Sequence, residues 1–182
     1  ENILENEWDD MVSMARPLLA DSHFVVKVQQ NKPQAINTCI ACNQACLDHI
    51  FLNKVATCLV NPFAAREKEL ALIPTNNAKQ IAVVGAGPAG MAFSLYAAQR
   101  GHKVQLFEAT HRIGGQFNLA KKIPGKEDFH QTLRYFNNQL AQHKVDIHLN
   151  THVTPEVLST FDEVVIATGT KANLPDIEGI DS

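Results

Sequence analysis

The sequence has no surplus of basic residues. Its 16 Lys and Arg stand against 19 Asp and Glu, a formal net charge of -3, with an isoelectric point near 6.2. No field draws such a chain to a polyanion, and nucleic acid is not an expected partner. Also missing is any apolar run of about 18 residues, the length that spans a bilayer, so no membrane helix is expected. Cysteine is sparse: four in 182 residues, all between positions 39 and 58. Apolar surface is not lacking. With 45% hydrophobic and 19% charged residues and a mean hydropathy of -0.13, the chain belongs with globular proteins, which bury enough apolar surface to offset chain entropy. Its length suits one ordinary domain or two small ones.

An initiating Met is absent too. The opening Glu1-Asn-Ile-Leu-Glu5 reads as the tail of a helix with no cap before it, and Leu174-Pro175-Asp-Ile-Glu-Gly-Ile-Asp181 reads as a polar exit after an apolar strand. Both ends suggest a piece of a longer protein, from which a signal peptide cannot be judged. Residues 10–15 form a short apolar run that suits a buried strand, stopped by Arg16-Pro17. Residues 20–32 read as a helix, with Asp21 or Ser22 as cap, Phe24, Val25 and Val28 as apolar face, and Pro33 closing it. After the cysteines, residues 62–72 suggest a short charged helix, and residues 74–78 are the best linker.

From Gln80 the pattern changes to strand and helix in alternation, the signature of a parallel sheet covered by helices. Strands are expected at 81–84, 103–107, 145–149 and 164–167, with a helix at 88–99 stopped by Gly101. A second helix at 127–143 sets Phe129, Leu133, Phe136 and Leu140 on one face. The first strand runs into Gly85-Ala-Gly87-Pro-Ala-Gly90, a G-x-G-x-x-G element followed by a helix. In that setting Gly85 permits the turn, Gly87 lets a pyrophosphate approach the backbone, and Gly90 allows close helix-to-strand packing. Pro88 suits the first helical position, and the helix N-terminus favours an anion. Glu108 ends the next strand, where an acidic side chain can accept both hydroxyls of an adenosine ribose. The bland alternative is a glycine turn that packs without binding anything.

This fingerprint serves NAD and FAD alike. Arg112-Ile-Gly-Gly115-Gln116 and the strand end Ala167-Thr168-Gly169 resemble auxiliary motifs of the two-dinucleotide flavoprotein reductases, which favours FAD. The cysteines are spaced C-x2-C-x3-C-x11-C. Four thiolates suit an iron-sulfur cluster or zinc, and a disulfide pair is the third reading. His49 could join a zinc site, although a solvated helix histidine describes it as well.

Ile36-Asn-Thr-Cys39-Ile-Ala-Cys42-Asn-Gln-Ala-Cys46, Cys58-Leu-Val-Asn-Pro62, Gly114-Gly-Gln-Phe-Asn-Leu-Ala120 and Ile123-Pro-Gly-Lys126 resemble the bacterial NADPH-dependent 2,4-dienoyl-CoA reductases, of the old-yellow-enzyme-like group that includes trimethylamine dehydrogenase. The resemblance covers essentially the whole chain. It implies an α/β architecture in three parts: the last strand-helix unit of an FMN-binding TIM barrel at 1–32, an iron-sulfur segment and linker at 33–78, and the N-terminal part of a Rossmann-like FAD domain at 79–182. By the same resemblance Cys39, Cys42, Cys46 and Cys58 hold a 4Fe-4S cluster, and Ala15 and Arg16 contribute to an FMN phosphate site. A salt bridge at a strand end is the alternative for Arg16. The implied FAD positions are Gly85, Gly87, Pro88, Ala89, Gly90, Glu108, Gly115, Gln116, Val153, Thr168 and Gly169.

The family's catalytic Tyr and His fall in barrel segments that this chain lacks, and its NADPH domain would begin about where the chain stops. The implied whole enzyme moves hydride from NADPH to FAD, single electrons through the cluster to FMN, and hydride plus a proton to a dienoyl-CoA of unsaturated fatty acid β-oxidation, in the cytoplasm. The chain alone is expected to be an inactive relay. The alternatives are a related amine dehydrogenase or NADH oxidase, or a zinc-stabilised nucleotide-binding module.

Overall fold

The structure, a computed structural model, describes residues 2–170 together with Asn173 and Ile177. The exit expected at 174–181 lies outside the described residues, Ile177 excepted. Up to residue 78 the chain makes only short elements: α1 (Asn2–Glu5), α2 (Arg16–Ala20), α3 (Phe24–Gln29), a 3-10 turn (Pro33–Ala35) and α4 (Leu47–Phe51).

Three expectations fail in this region. The apolar run at 10–15 is not a strand: no strand pairs with it among the described residues, and Met11 and Val12 are exposed. The helix expected over 20–32 forms only over Phe24–Gln29, and Asp21, one of its two expected caps, stands before it with an extended backbone (φ -144°, ψ 99°). Its carboxylate accepts from the His23 N–H (3.0 Å), as a cap does, and also from Lys27 Nζ (2.6 Å) and the distant Asn37 N–H (2.8 Å). Val25 and Val28, placed on an apolar face by the sequence, are exposed. Residues 62–72 form successive turns instead of a helix, because Ala65 adopts a left-handed conformation (φ 61°) that breaks the helical path.

The second region follows its sequence pattern closely. Strand β1 (Gln80–Val84) leads to α5 (Pro88–Gln99), β2 (Lys103–Phe107), α6 (Phe117–Ala120), α7 (Phe129–Gln142), β3 (Asp146–His148), α8 (Pro155–Leu158) and β4 (Glu163–Ile166). The strands form one parallel sheet in the order β3-β2-β1-β4. Central β1 buries Ile81, Ala82 and Val83 in succession, as a strand covered on both faces must. Gly101 ends α5 at φ 97°, a conformation that favours glycine. Met91 and Leu95 of α5, Leu106 of β2 and Leu140 of α7 are fully buried. Leu133, Phe136 and Leu140 share the inward face of α7, and Phe129 stacks on Phe117 at 4.8 Å. No described helix is long and apolar enough to cross a membrane.

Candidate functional site

The glycine loop sits at the C-terminal end of the central strand, where parallel sheets present ligand sites. Gly85 (φ 104°) receives the turn, and its N–H donates to the Phe107 carbonyl at 2.7 Å. A Cβ there would strike the Ala167 carbonyl and lie 3.0 Å from Thr168 Cα. A Cβ on Gly90 would strike the Gly85 carbonyl, so helix and strand touch backbone to backbone. Gly87 differs from both. Its φ of -72° is open to any residue, and among the described residues nothing lies within 4 Å of an added Cβ. Neither conformation nor packing in this chain calls for glycine at 87, whereas an approaching pyrophosphate would.

Other implied FAD positions gather around this loop. Pro88 and Ala89 open α5. Gly115 (φ 48°) lies so close that its Cβ would stand 3.1 Å from Gly87 Cα, and the Gly114 N–H donates to the Ala86 carbonyl at 2.7 Å. Gln116 Nε2 donates to the Thr170 carbonyl at 3.0 Å, bringing the loop after β2 against the end of β4, where exposed Thr168 and Gly169 stand. Glu108 is buried at 8% exposure. Its Oε2 accepts from the Ala86 N–H (2.8 Å), and its Oε1 from both the N–H and hydroxyl of Thr110 (2.9 Å each). Burial alone would raise its pKa. The N–H of Thr110, the N–H of Ala86 and the Thr110 hydroxyl outweigh that and hold the carboxyl below its ordinary value. A carboxylate offers about four acceptor positions, and the N–H and hydroxyl of Thr110 with the N–H groups of Ala86 and Ala109 all act on this one, so Glu108 fastens the glycine loop to the turn after β2. Val153 is half-buried, two residues past Thr151, whose N–H donates to the Glu108 carbonyl at 2.9 Å.

The four cysteines line one cavity with Arg16, Leu19, Ile40, Asn43 and Val60 among its walls. All are free, half-buried thiols. Ala41 (φ 53°) and Asn43 (φ 59°) turn the chain left-handed between and after the first two. Such conformations persist in non-glycine residues only where neighbours enforce them. The Ala41 N–H lies 3.4 Å from Cys39 Sγ. The Thr57 N–H donates to the Ala45 carbonyl at 2.7 Å, setting Cys58 beside Cys46. Asn37 Nδ2 donates to the Val60 carbonyl at 2.7 Å, joining the Cys39 arm to the Cys58 arm. Burial pushes the Cys58 thiol up, and Cys39 and Cys42 add to the rise. Among the described residues, no three His, Cys, Asp or Glu side chains converge closely enough to hold a metal ion. As a donor set the cavity is all sulfur, with neither carboxylate nor imidazole in its lining, which fits a thiolate-bound cluster. His49 lies outside the lining, its Nδ1 3.0 Å from the Val55 carbonyl.

Ala15 and Arg16 do not end a strand; they open α2, with Ala15 as its N-cap. Arg16 Nη1 donates to Asn43 Oδ1 at 2.7 Å, which draws it to the cysteine loop. These two residues enclose no space for FMN by themselves. Sequence reasoning missed Asn37, Asn43 and Thr110, isolated polar residues in irregular segments that carry no periodic signal, and Arg134, a polar position of α7 whose partners at 33–38 are far away in sequence.

Residues 79–182 match the family model described as pyridine nucleotide-disulphide oxidoreductase. Over 183 residues the chain is 44% identical to a metal reductase of Desulforamulus reducens, covering 97% of this chain and 27% of that protein. A solved structure of a 2-naphthoyl-CoA reductase with 2-naphthoyl-CoA superposes with a TM-score of 0.94 at 38% identity, over 99% of this chain and 28% of that one. Histamine dehydrogenase from Rhizobium sp. 4-9 superposes with a TM-score of 0.86 at 28% identity, over 95% of this chain and 26% of its own. The chain thus spans about a quarter of the length of these relatives.

Proposed function

The chain belongs to the pyridine nucleotide-disulphide oxidoreductase family, and on that premise we propose that it is the electron-transfer portion of a flavin and iron-sulfur reductase acting on an acyl-CoA, of the 2,4-dienoyl-CoA reductase type. Flavin-dependent oxidoreductases surround it among its relatives. The observation that carries the reading is the open space at Gly87, where neither backbone conformation nor packing among the described residues calls for glycine. Gly85, Gly87, Pro88, Ala89 and Gly90 would present the α5 N-terminus to the pyrophosphate of FAD. Gly115, Gln116, Val153, Thr168 and Gly169 would flank it, with Glu108 toward the ribose. Cys39, Cys42, Cys46 and Cys58 would hold a 4Fe-4S cluster. The chemistry such groups supply when bound is two-electron acceptance from a nicotinamide by the flavin and one-electron passage by the cluster.

The proposal divides the chain at 1–32, 33–78 and 79–182, the first part being the end of a barrel whose remainder would complete the FMN site. A cytoplasmic setting, where thiols stay reduced, belongs to the same reading. The acyl-CoA class draws its support from the 2-naphthoyl-CoA complex of one relative. An amine substrate is the second reading, drawn from histamine dehydrogenase.

Titration with FAD and with ADP tests the nucleotide site. Wild type should bind both and Gly87→Val neither, while equal binding by the two proteins would overturn the assignment. For the substrate class, NADPH consumption by the intact polypeptide should depend on a 2,4-dienoyl-CoA. Flavin bleaching by an amine, with no dienoyl-CoA turnover, would favour the second reading.

A further inference from the structure

α7 belongs to the sheet-covering region, yet one of its side chains reaches out of it. Arg134 uses four of the five N–H groups of a guanidinium. Nε donates to Gln131 Oε1 (2.7 Å), Nη1 to the Pro33 carbonyl (2.6 Å), and Nη2 to the Ile36 carbonyl (2.9 Å) and the Thr38 hydroxyl (3.2 Å). The Gln131 contact aims the fork along the helix. The other three acceptors all lie in residues 33–38, and the last of them precedes Cys39.

This short stretch is held from two further directions. The buried Asn37 N–H donates to the Asp21 carboxylate at 2.8 Å, and its side-chain amide reaches the Val60 carbonyl at 2.7 Å, two residues past Cys58. The chain after the cysteines has separate anchors on α5 and its C-cap: Phe63 meets Tyr96 edge to face at 4.9 Å, and Arg100 Nε donates to the Ile73 carbonyl at 3.1 Å. Loss of Arg134 would therefore release the Cys39 arm from α7, with its bonds to Asp21 and Val60 and the anchors of the later chain still in place. Lysine could not replace the fork, because its ammonium is a point donor on a flexible stem.

We propose that Arg134 is a positioning residue that fixes the cysteine cavity against the nucleotide-binding sheet, so that electrons pass between the two sites over a constant path. The proposal rests on the reading of the cavity as a cluster site. Arg134 touches neither cofactor position; it acts through the backbone that carries Cys39.

Amide hydrogen exchange on the iron-free chain tests the clamp without any cofactor. Arg134→Met should speed exchange at Ile36 and Asn37 by about tenfold or more, with residues 81–95 unchanged, and Arg134→Lys should fall between the two. After anaerobic loading with iron and sulfide and reduction with dithionite, wild type should give one sharp paramagnetic signal and Arg134→Met a broadened one. Unchanged exchange at 36–37, a rise shared equally by 81–95, or identical signals from the two loaded proteins would overturn the proposal. Wild type that takes up no iron would instead defeat the cluster reading, and the exchange data would still decide whether Arg134 holds the arm.

Discussion

The glycine loop and the cysteine cavity are held in place by opposite means. Around the glycine loop the restraints come from regular structure: parallel β1, β2 and β4 in register, and α5 and α7 pressed on the sheet through Met91, Leu95 and Leu140. Around the cysteines they come from single side chains bonded to backbone, namely Asp21, Asn37, Thr57, Asn61 and Arg134. The most exposed large apolar residues, Met11 at 83%, Phe51 at 80% and Trp8 at 73% among them, fall on the cysteine side, although Leu119 and Ile166 are exposed on the sheet side as well. A site built on a sheet inherits its precision from many small contacts. A site built on loops depends on a few polar bonds, each of which matters more.

The largest effect expected from this contrast is at Gly90. A Val side chain there meets a backbone carbonyl that cannot move, so Gly90→Val should lose about 3 kcal/mol or more, read as a large drop in the thermal midpoint. A stable Gly90→Val protein would break the account of helix-to-strand contact. Next comes Asn37→Leu, which keeps the backbone N–H that Asp21 accepts but strands the Val60 carbonyl. It should destabilise the cysteine region by about 1–3 kcal/mol, seen as faster exchange at 36–41 with 81–95 unaffected.

A smaller effect is set by pH at Glu108. Its folded pKa lies below the unfolded value, so its contribution is complete above the ordinary glutamate pKa of about 4.3 and is lost as pH falls through the lower folded value. Urea midpoints of wild type should exceed those of Glu108→Gln at neutral pH, with the gap closing below about pH 4. A gap that widens in acid would contradict the sign. The smallest effect belongs to Gly87→Val, which should leave stability within about 0.5 kcal/mol of wild type while nucleotide binding fails. Loss of folding would show that Gly87 serves packing after all.

Legibility in the sequence divides along the same line. β2 and α5 fall where the pattern sets them, and the inward face of α7 follows its 4, 3, 4 spacing, because apolar periodicity reports burial directly. Gly85 and Gly90 are explained by contacts that the fingerprint anticipates. At 10–15 and 20–32 the same reasoning misleads. An apolar run becomes a strand only if a neighbour accepts its backbone bonds, and the helix over 20–32 shortens to Phe24–Gln29, with Asn31 turned left-handed (φ 53°) soon after its end. The thiols' spacing marks the cysteine site, yet its frame does not show in the sequence. Arg134 lies 95 positions from Cys39, and no local rule connects them.

The central proposal is that the chain carries two cofactor sites, one on the sheet and one among the loops. Its most direct test is anaerobic reconstitution of wild type and Cys58→Ala, with iron and acid-labile sulfide counted per chain. The account predicts about four of each on wild type, as a Cys-ligated 4Fe-4S cluster requires, and a marked loss in Cys58→Ala. Undiminished loading of the variant, or uptake of zinc with no sulfide, would contradict it.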